Sequence, residues 1–205
     1  MKPYVITIAR QYGSGGKTVG KMLAEKLQIP CYNREIITMA SEDSGVNALL
    51  FSDERLKSDF AERLRRRYQG KALSGDKSYD DDVLFEYQAK VIRQLAEAGP
   101  CVLIGRCADY VLRDRPDVVS VFVHADEKFC LEQAMKVNSL PEEDVLKKMY
   151  SVDESRARFY RHHTGADWYD ARNYDLSLNS GVLGFEGTLE EILRYMEVRS
   201  AFDGQ

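Results

Sequence analysis

The chain has 205 residues, of which 44% are hydrophobic and 30% are charged, a balance that can fill the core of one globular domain. Its formal net charge of −4 at pH 7 provides no overall positive field to attract nucleic acid or an anionic membrane. The apolar runs are too short to span a bilayer and the four cysteines form no C-x-x-C pair, so we predict a cytoplasmic protein without disulfides or a zinc site.

Strand and helix patterns alternate along the chain. Continuous apolar, β-branched runs predict strands, and apolar side chains repeating every three to four residues predict helices. This alternation predicts an α/β fold of three layers, with a mostly parallel five-stranded sheet and helices on both faces. The predicted strands are residues 4–9, 30–32, 101–104, 118–124 and 174–178, and the helices start near residues 17, 34, 83, 126, 141 and 188.

Two segments depart from this regular pattern within the single predicted domain, residues 1–205. Residues 44–82 are crowded with charges and end in a polar tract, which predicts an inserted helical subdomain that ends in a mobile loop. Residues 150–172 combine several arginines with a glycine-containing turn, a composition that suits a lid over transferring phosphates.

A glycine-rich turn joins the first strand to the first helix. Residues 11–18 read QYGSGGKT, and the last three match the end of the phosphate-binding-loop pattern. Glycines let backbone N–H groups wrap around phosphate, the lysine reaches the β- and γ-phosphates, and the threonine hydroxyl binds Mg²⁺. The predicted nucleotide-binding residues are Gly13, Ser14, Gly15, Gly16, Lys17 and Thr18, with Lys17 also catalytic and Thr18 the metal ligand.

Two alternatives remain open for this turn. Gln11 stands where the pattern has its first glycine, and a loop shifted by one residue would leave Lys17 out of register. A glycine-rich strand-to-helix turn that binds no ligand is the second alternative. Strand, turn and helix nevertheless follow in the required order, which favours phosphate binding and a P-loop NTPase fold.

Arg106 and Asp109 follow the third predicted strand, at the edge of the sheet where open parallel sheets bind ligands. An arginine there can grip phosphate or carboxylate with two parallel donors, and Asp109 could orient it or accept from a base or ribose. The alternative interpretation is an arginine–aspartate pair on the surface.

Three arginines lie on the predicted lid, at positions 156, 158 and 161. Arg158 and Arg161 can share a helix face, and Asp153 can pair with Arg156 at a spacing of three. These arginines suit charge stabilisation during phosphoryl transfer, although charge alone is more typical of a solvated helix. The predicted catalytic residues on the lid are therefore Arg156, Arg158 and Arg161.

Two further clusters invite a functional interpretation that we do not favour. His162 and His163, with Asp167 and Asp170, resemble a metal-ligand set, but adjacent histidines point to different sides of a helix. The basic run at residues 63–67 has acidic neighbours and no interleaved aromatics, so a solvated helix face is the better interpretation.

Several of these motifs together resemble bacterial cytidylate kinases. Residues 6–8, the GSG of residues 13–15 and the helix at 21–27 are similar to the opening of that family. Residues 91–106, VIRQLAEAGPCVLIGR, look like its helix, strand and Gly-Arg turn, and Asp153-x-x-Arg156 resembles its lid motif. The GSGG loop, residues 105–112 and the tail from residue 160 resemble the cytidylate-kinase-like proteins more closely still.

The resemblance implies an ATP- and Mg²⁺-dependent kinase that phosphorylates a nucleoside monophosphate such as CMP or dCMP. It implies that Arg34, Arg106 and Asp109 contact the acceptor, on the side of the insertion at residues 44–82. It also implies that Arg156, with Arg158 or Arg161, clamps the phosphates being transferred. The chain departs from the family pattern in having Asn33 after the second strand and Cys107-Ala108 between Arg106 and Asp109. A kinase of another small metabolite and a nucleotide-binding sensor without turnover are the other functions that the sequence allows.

Overall fold

The computed structural model describes residues 4–45 and 81–202. Within these ranges the chain forms one five-stranded sheet in the order β2-β3-β1-β4-β5, and every neighbouring pair is parallel. The predicted α/β fold with a parallel five-stranded sheet is therefore confirmed. The strands are β1 (Val5–Arg10), β2 (Cys31–Tyr32), β3 (Val102–Ile104), β4 (Val118–His124) and β5 (Leu176–Asn179).

Helices connect the strands and cover both faces of the sheet, as expected when parallel strands are joined by crossover connections. No helix in the described ranges is long and apolar enough to cross a membrane. The helices are α1 (Gly16–Leu27), α2 (Glu35–Ser44), α3 (Asp81–Ala98), α4 (Ala108–Val111), α5 (Glu127–Met135), α6 (Glu142–Thr164) and α7 (Ser180–Phe202), with a 3₁₀ turn at Ala171–Asn173.

The last helix differs most from its predicted bounds. It begins at Ser180 and not near residue 188, and it is interrupted at Gly184, which has a φ of 68°. The Ser180 hydroxyl donates to the carbonyl oxygens of Ser14 and His124, so tertiary contacts hold the extra first turn in place. Residues 180–187 include three glycines, so this segment lacks the apolar periodicity from which a helix is predicted.

The core lies on both sides of β1, whose residues are nearly all buried. Ile6 and Ile8 face a cluster shared with α1 and α7, whereas Val5 faces a cluster shared with α2 and α3. Because β1 has buried neighbours on both faces, its sequence is continuously apolar instead of alternating.

Parallel strands place their carboxyl ends at one edge of the sheet, where ligands bind in folds of this kind. The turns after β1, β3 and β4 therefore meet at one edge. The predicted insertion at residues 44–82 lies, apart from its ends, outside the described residues. The predicted lid at residues 150–172 consists of the second half of α6, a turn at Gly165 and the 3₁₀ segment.

Candidate active site

The turn after β1 has a conformation that depends on its glycines. Gly13 and Gly15 have φ values of 81° and 77°, in the left-handed region that favours glycine. A Cβ on Gly13 would overlap the carbonyl oxygen of Cys130, and one on Gly15 would overlap the ring of Phe185. The turn therefore requires glycine at both positions, for its backbone shape and for its packing.

Polar contacts hold this turn against the sheet. Ser14 is fully buried, and its hydroxyl donates to the Gln11 carbonyl oxygen at 3.0 Å. The Gln11 side-chain oxygen accepts from the backbone N–H of Ala125, just after β4, at 3.2 Å. The glutamine that replaces the first glycine of the loop pattern thus anchors the turn to the neighbouring connection.

Helix α1 begins at Gly16, directly after this turn, so Lys17 and Thr18 lie on its first turn and are exposed. The first N–H groups of a helix have no partner within the helix, and the helix dipole makes this end positive. The first turn of α1 carries no acidic residue. These features fit a nucleotide phosphate held by residues 13–17 and a Mg²⁺ ion held by the Thr18 hydroxyl.

A pocket of about 570 Å³, counting its open mouth, lies at the carboxyl ends of β1 and β3. Its wall combines three arginines and one buried carboxyl group with three aromatic side chains. Such a lining suits a small anionic ligand that also carries an apolar or planar part. The residues around it are Ala9, Arg10, Gly105, Arg106, Cys107, Asp109, Arg156, Phe159, Tyr160 and Trp168.

The turn after β3 brings Arg106 to this pocket through an uncommon backbone. Gly105, Arg106 and Cys107 have φ values of 76°, 61° and 53°, so three successive residues are left-handed. Residues other than glycine adopt this conformation at a free-energy cost, and such strain is concentrated at functional sites. A Cβ on Gly105 would overlap the guanidinium group of Arg10, so glycine at this position leaves room for the Arg10 side chain beside the turn after β3.

Asp109 lies buried on the first turn of α4, where its carboxylate accepts a hydrogen bond from the Tyr160 hydroxyl at 2.7 Å. Burial raises the pKa of Asp109 to about 6, although the bond from Tyr160 acts in the opposite direction. Burial and the Asp109 charge in turn raise the pKa of Tyr160. The structure thus gives Asp109 a partner on α6, a contact that the sequence did not predict.

The raised pKa of Asp109 predicts that the free energy of unfolding depends on pH. The carboxyl of Asp109 ionises near its ordinary pKa of 3.8 in the unfolded chain and near 6 in the folded one. Between these values the folded state binds more protons, so this group lowers the free energy of unfolding by about 3 kcal/mol as pH rises. We expect Asp109→Asn to remove this decline, because asparagine stays neutral and still accepts from Tyr160.

Urea unfolding of both proteins from pH 4 to pH 8 measures the effect. The stability of Asp109→Asn relative to the original chain should rise between pH 4 and pH 6 and then level off. Parallel curves across this window would contradict the raised pKa. Asp114→Asn is a control, because the side chain of Asp114 is 88% exposed.

A second set of contacts ties α6 to the turn after β1. The Asp153 carboxylate accepts the backbone N–H of Tyr12 at 2.9 and 3.0 Å. Arg156 donates to the same carboxylate at 2.9 Å and to the carbonyl oxygen of Arg10 at 3.0 Å. The Asp153–Arg156 pairing expected from their spacing is present, and it also anchors the phosphate loop, which the spacing could not show.

The other predicted residues lie away from the pocket. Arg158 and Arg161 are exposed on α6, and Arg161 lies 3.6 Å from Asp167. Arg34 is exposed at the start of α2. None of the three is among the described residues that line the pocket.

Conversely, Arg10, Tyr160 and Trp168 line the pocket but were absent from the sequence-based expectation. Arg10 could have been inferred, since it ends β1 and directly precedes the glycine-rich turn. Tyr160 and Trp168 carry no comparable signal, because aromatic residues are common in any core.

A parallel sheet of this strand order, with a glycine-rich loop after its central strand and a Lys-Thr pair opening the next helix, defines the P-loop kinase class. A family model described as cytidylate kinase-like family matches residues 5–182, and the chain belongs to this family. No curated protein matches the chain in sequence.

Solved structures share the fold over nearly the whole chain. An uncharacterized protein from Eubacterium ventriosum ATCC 27560 is 24% identical with a TM-score of 0.71, covering 95% of this chain and 98% of that one. Shikimate kinase from Bacteroides thetaiotaomicron is 13% identical with a TM-score of 0.55, covering 96% and 99%. A gluconokinase from Sinorhizobium meliloti 1021 is 17% identical with a TM-score of 0.55, covering 99% and 98%.

Proposed function

We propose that the protein transfers the γ-phosphoryl group of ATP to a nucleoside monophosphate, with CMP and dCMP as the first candidates, giving the diphosphate and ADP. The observation that carries this proposal is the pocket beside the phosphate loop, which Arg10, Arg106 and Arg156 line together with aromatic side chains. Three guanidinium groups suit a phosphate dianion, and aromatic rings suit a planar base. Membership of the cytidylate kinase-like family supports the same substrate class.

The chain would act through position and charge, since phosphoryl transfer needs little covalent help from a protein. Backbone N–H groups of the turn and Lys17 would hold the ATP phosphates at the start of α1. When bound, Mg²⁺ neutralises charge on those phosphates, and Thr18 would be its protein ligand. Arg156, fixed by Asp153 beside the turn, would stabilise charge on the transferred group, while Arg106 would hold the acceptor phosphate.

A panel of acceptors tests the proposal. ADP release would be followed with ATP and Mg²⁺ in the presence of CMP, dCMP, UMP, AMP, shikimate or gluconate, and with no acceptor. We expect ADP release to depend on the acceptor and to be fastest with CMP or dCMP. ATP binding without release for any acceptor would instead indicate a nucleotide-binding sensor.

A kinase for a small hydroxyl-bearing metabolite is the second candidate. A hydroxyl group needs a base to accept its proton, whereas an acceptor phosphate is already a nucleophile. Asp109 favours this candidate, because its buried carboxyl group lines the pocket and has a pKa of about 6, which suits a base. Faster turnover with shikimate or gluconate than with any nucleotide would replace the first proposal by the second.

Arg106→Lys should weaken the acceptor site selectively. A lysine supplies charge but not the planar pair of donors that grips phosphate. We expect kcat/KM for the acceptor to fall about tenfold or more, which corresponds to one charge-assisted hydrogen bond, with ATP affinity little changed.

Steady-state kinetics with each substrate varied in turn measure this difference. Arg113→Lys is the matched control, since Arg113 is exposed and stacks on Tyr110 outside the pocket. Equal weakening of ATP and acceptor binding would show that Arg106 is not an acceptor contact.

A further inference from the structure

Two helices bring three side chains with metal-binding groups together on the far side of the pocket wall. Asp82 lies on the first turn of α3, and His162 and His163 lie on the last turn of α6. Oxygen Oδ1 of Asp82 is 3.2 Å from Nε2 of His162 and 3.4 Å from Nδ1 of His163. Adjacent histidines leave a helix in different directions, yet both rings reach the same oxygen of Asp82, which lies on another helix and could not be identified from spacing along the chain.

The ring of His163 is held in one orientation by aromatic neighbours. It stacks on Phe85 with a centroid distance of 4.1 Å and an interplanar angle of 9°. It also meets Phe159 edge to face, with a centroid distance of 4.5 Å. Phe85 follows Asp82 by one turn of α3, so the same helix positions the ring and supplies the carboxylate. The side chain of His163 is only 2% exposed, so the direction of its ring nitrogens is largely fixed before any ion binds.

We propose that Asp82, His162 and His163 form a binding site for a divalent transition-metal ion of the zinc class. Zinc–nitrogen and zinc–oxygen bonds of 2.0–2.1 Å in a tetrahedron separate the ligand atoms by about 3.3 Å. The observed separations of 3.2 and 3.4 Å lie on either side of this value. All three ligand atoms lie within 4.8 Å of one another, so small side-chain adjustments bring them onto one ion.

The donor set favours this class of ion over Mg²⁺ or Ca²⁺, which prefer oxygen ligands throughout. Two imidazoles and one carboxylate supply three positions, and a water molecule can fill the fourth. Side-chain exposures of 54% for His162 and 67% for Asp82 leave that position open to solvent. The site is separate from the Mg²⁺ position at Thr18, and its occupation requires no nucleotide.

An ion bound here would fasten the start of α3 to the end of α6. Phe159, which contacts His163, also lines the acceptor pocket from the other side. Metal binding would therefore restrain one wall of the pocket and the helix that carries Arg156. The effect on stability is independent of whether the chain is a kinase, so it can be measured without any activity assay.

The test compares Zn²⁺ and Co²⁺ binding to the full chain and to variants at about pH 7.5. His162→Ala and Asp82→Asn are suitable because both side chains are exposed, whereas changing the buried His163 could disturb folding. The control is His124→Ala, which removes the one other histidine of the sequence, at the end of β4. Calorimetry gives the Zn²⁺ affinity, thermal unfolding gives Tm, and visible absorption of Co²⁺ reports the ligand types.

We expect one Zn²⁺ ion per chain and a rise in Tm of about 5 °C or more once free Zn²⁺ exceeds Kd a hundredfold. His162→Ala and Asp82→Asn should each weaken binding about 100-fold or more, since even changes behind a metal ligand weaken binding 10- to 100-fold. His124→Ala should bind like the original chain. Unchanged binding in the two variants, a cobalt spectrum of thiolate ligation, or the absence of binding would each overturn the proposal.

Discussion

Replacing Arg156 by alanine is expected to lower kcat roughly 10²-fold or more, equivalent to about 2.7 kcal/mol of transition-state stabilisation. Its guanidinium lines the pocket and donates to the Arg10 carbonyl oxygen and to Asp153, next to the phosphate loop. Charge spreads over the transferred group mainly in the transition state, so kcat should fall more than ATP affinity.

The rate of Arg156→Ala is compared with the rates of alanine variants at three other arginines. Arg194→Ala is the control, since Arg194 is exposed on α7 and pairs with Glu197. Arg158→Ala and Arg161→Ala distinguish the sequence-based prediction for these two arginines from their positions in the structure. The sequence placed both arginines on the lid with Arg156, whereas both are exposed away from the pocket in the structure. If Arg156→Ala and Arg194→Ala have equal rates, the solvated-helix interpretation of this segment is correct.

Loss of Arg156 also leaves the carboxylate of Asp153 without its charged partner. Burial already raises the pKa of Asp153, and the Arg156 charge opposes this effect. Some loss of stability is therefore expected, and rates should be measured well below the Tm of each variant. Arg156→Lys helps to separate the two effects, because it keeps the charge beside Asp153 but lacks the planar donors.

Lys17→Ala should reduce turnover by at least about one to two orders of magnitude, the loss of one strong charged contact to the ATP phosphates. Lys17 is exposed on the first turn of α1, where orphan N–H groups and the helix dipole favour phosphate. Removing the positive charge should weaken binding of the β- and γ-phosphates and their stabilisation during transfer.

Lys21→Ala is the matched control for this change. It lies one turn further along α1, is also exposed, and like Lys17 lowers the pKa of Glu35 through its charge. A general effect of positive charge would therefore affect both variants alike. Full activity of Lys17→Ala would favour the shifted loop, in which residues 13–15 form the apex and Lys17 points away from the nucleotide.

The sequence predicted the sheet and the loop through short-range patterns. The continuous apolar run of β1 identified a strand buried on both faces, and its position directly before QYGSGGKT located the phosphate loop. The three-residue spacing of Asp153 and Arg156 predicted their pairing, because residues three apart are neighbours on a helix.

The same patterns failed where side chains meet across helices. Adjacent histidines on α6 point in different directions, yet Asp82 from α3 comes within reach of both rings. Gln11 departs from the loop pattern, but its side chain accepts a hydrogen bond from the backbone after β4, which explains how the turn tolerates it. Neither contact could be derived from spacing, since each partner lies far away in the chain.

The sequence by itself therefore determined the α/β fold, the position of the phosphate loop and the Asp153–Arg156 pair. Only the tertiary structure decided which arginines line the pocket, that Asp109 pairs with Tyr160, and that glycine at position 15 accommodates Phe185. The reason is physical: periodicity, turn preferences and helix spacing act over a few residues. The pocket instead depends on how distant segments pack against the edge of one sheet, and this packing sets both the burial of Asp109 and the direction of Arg106.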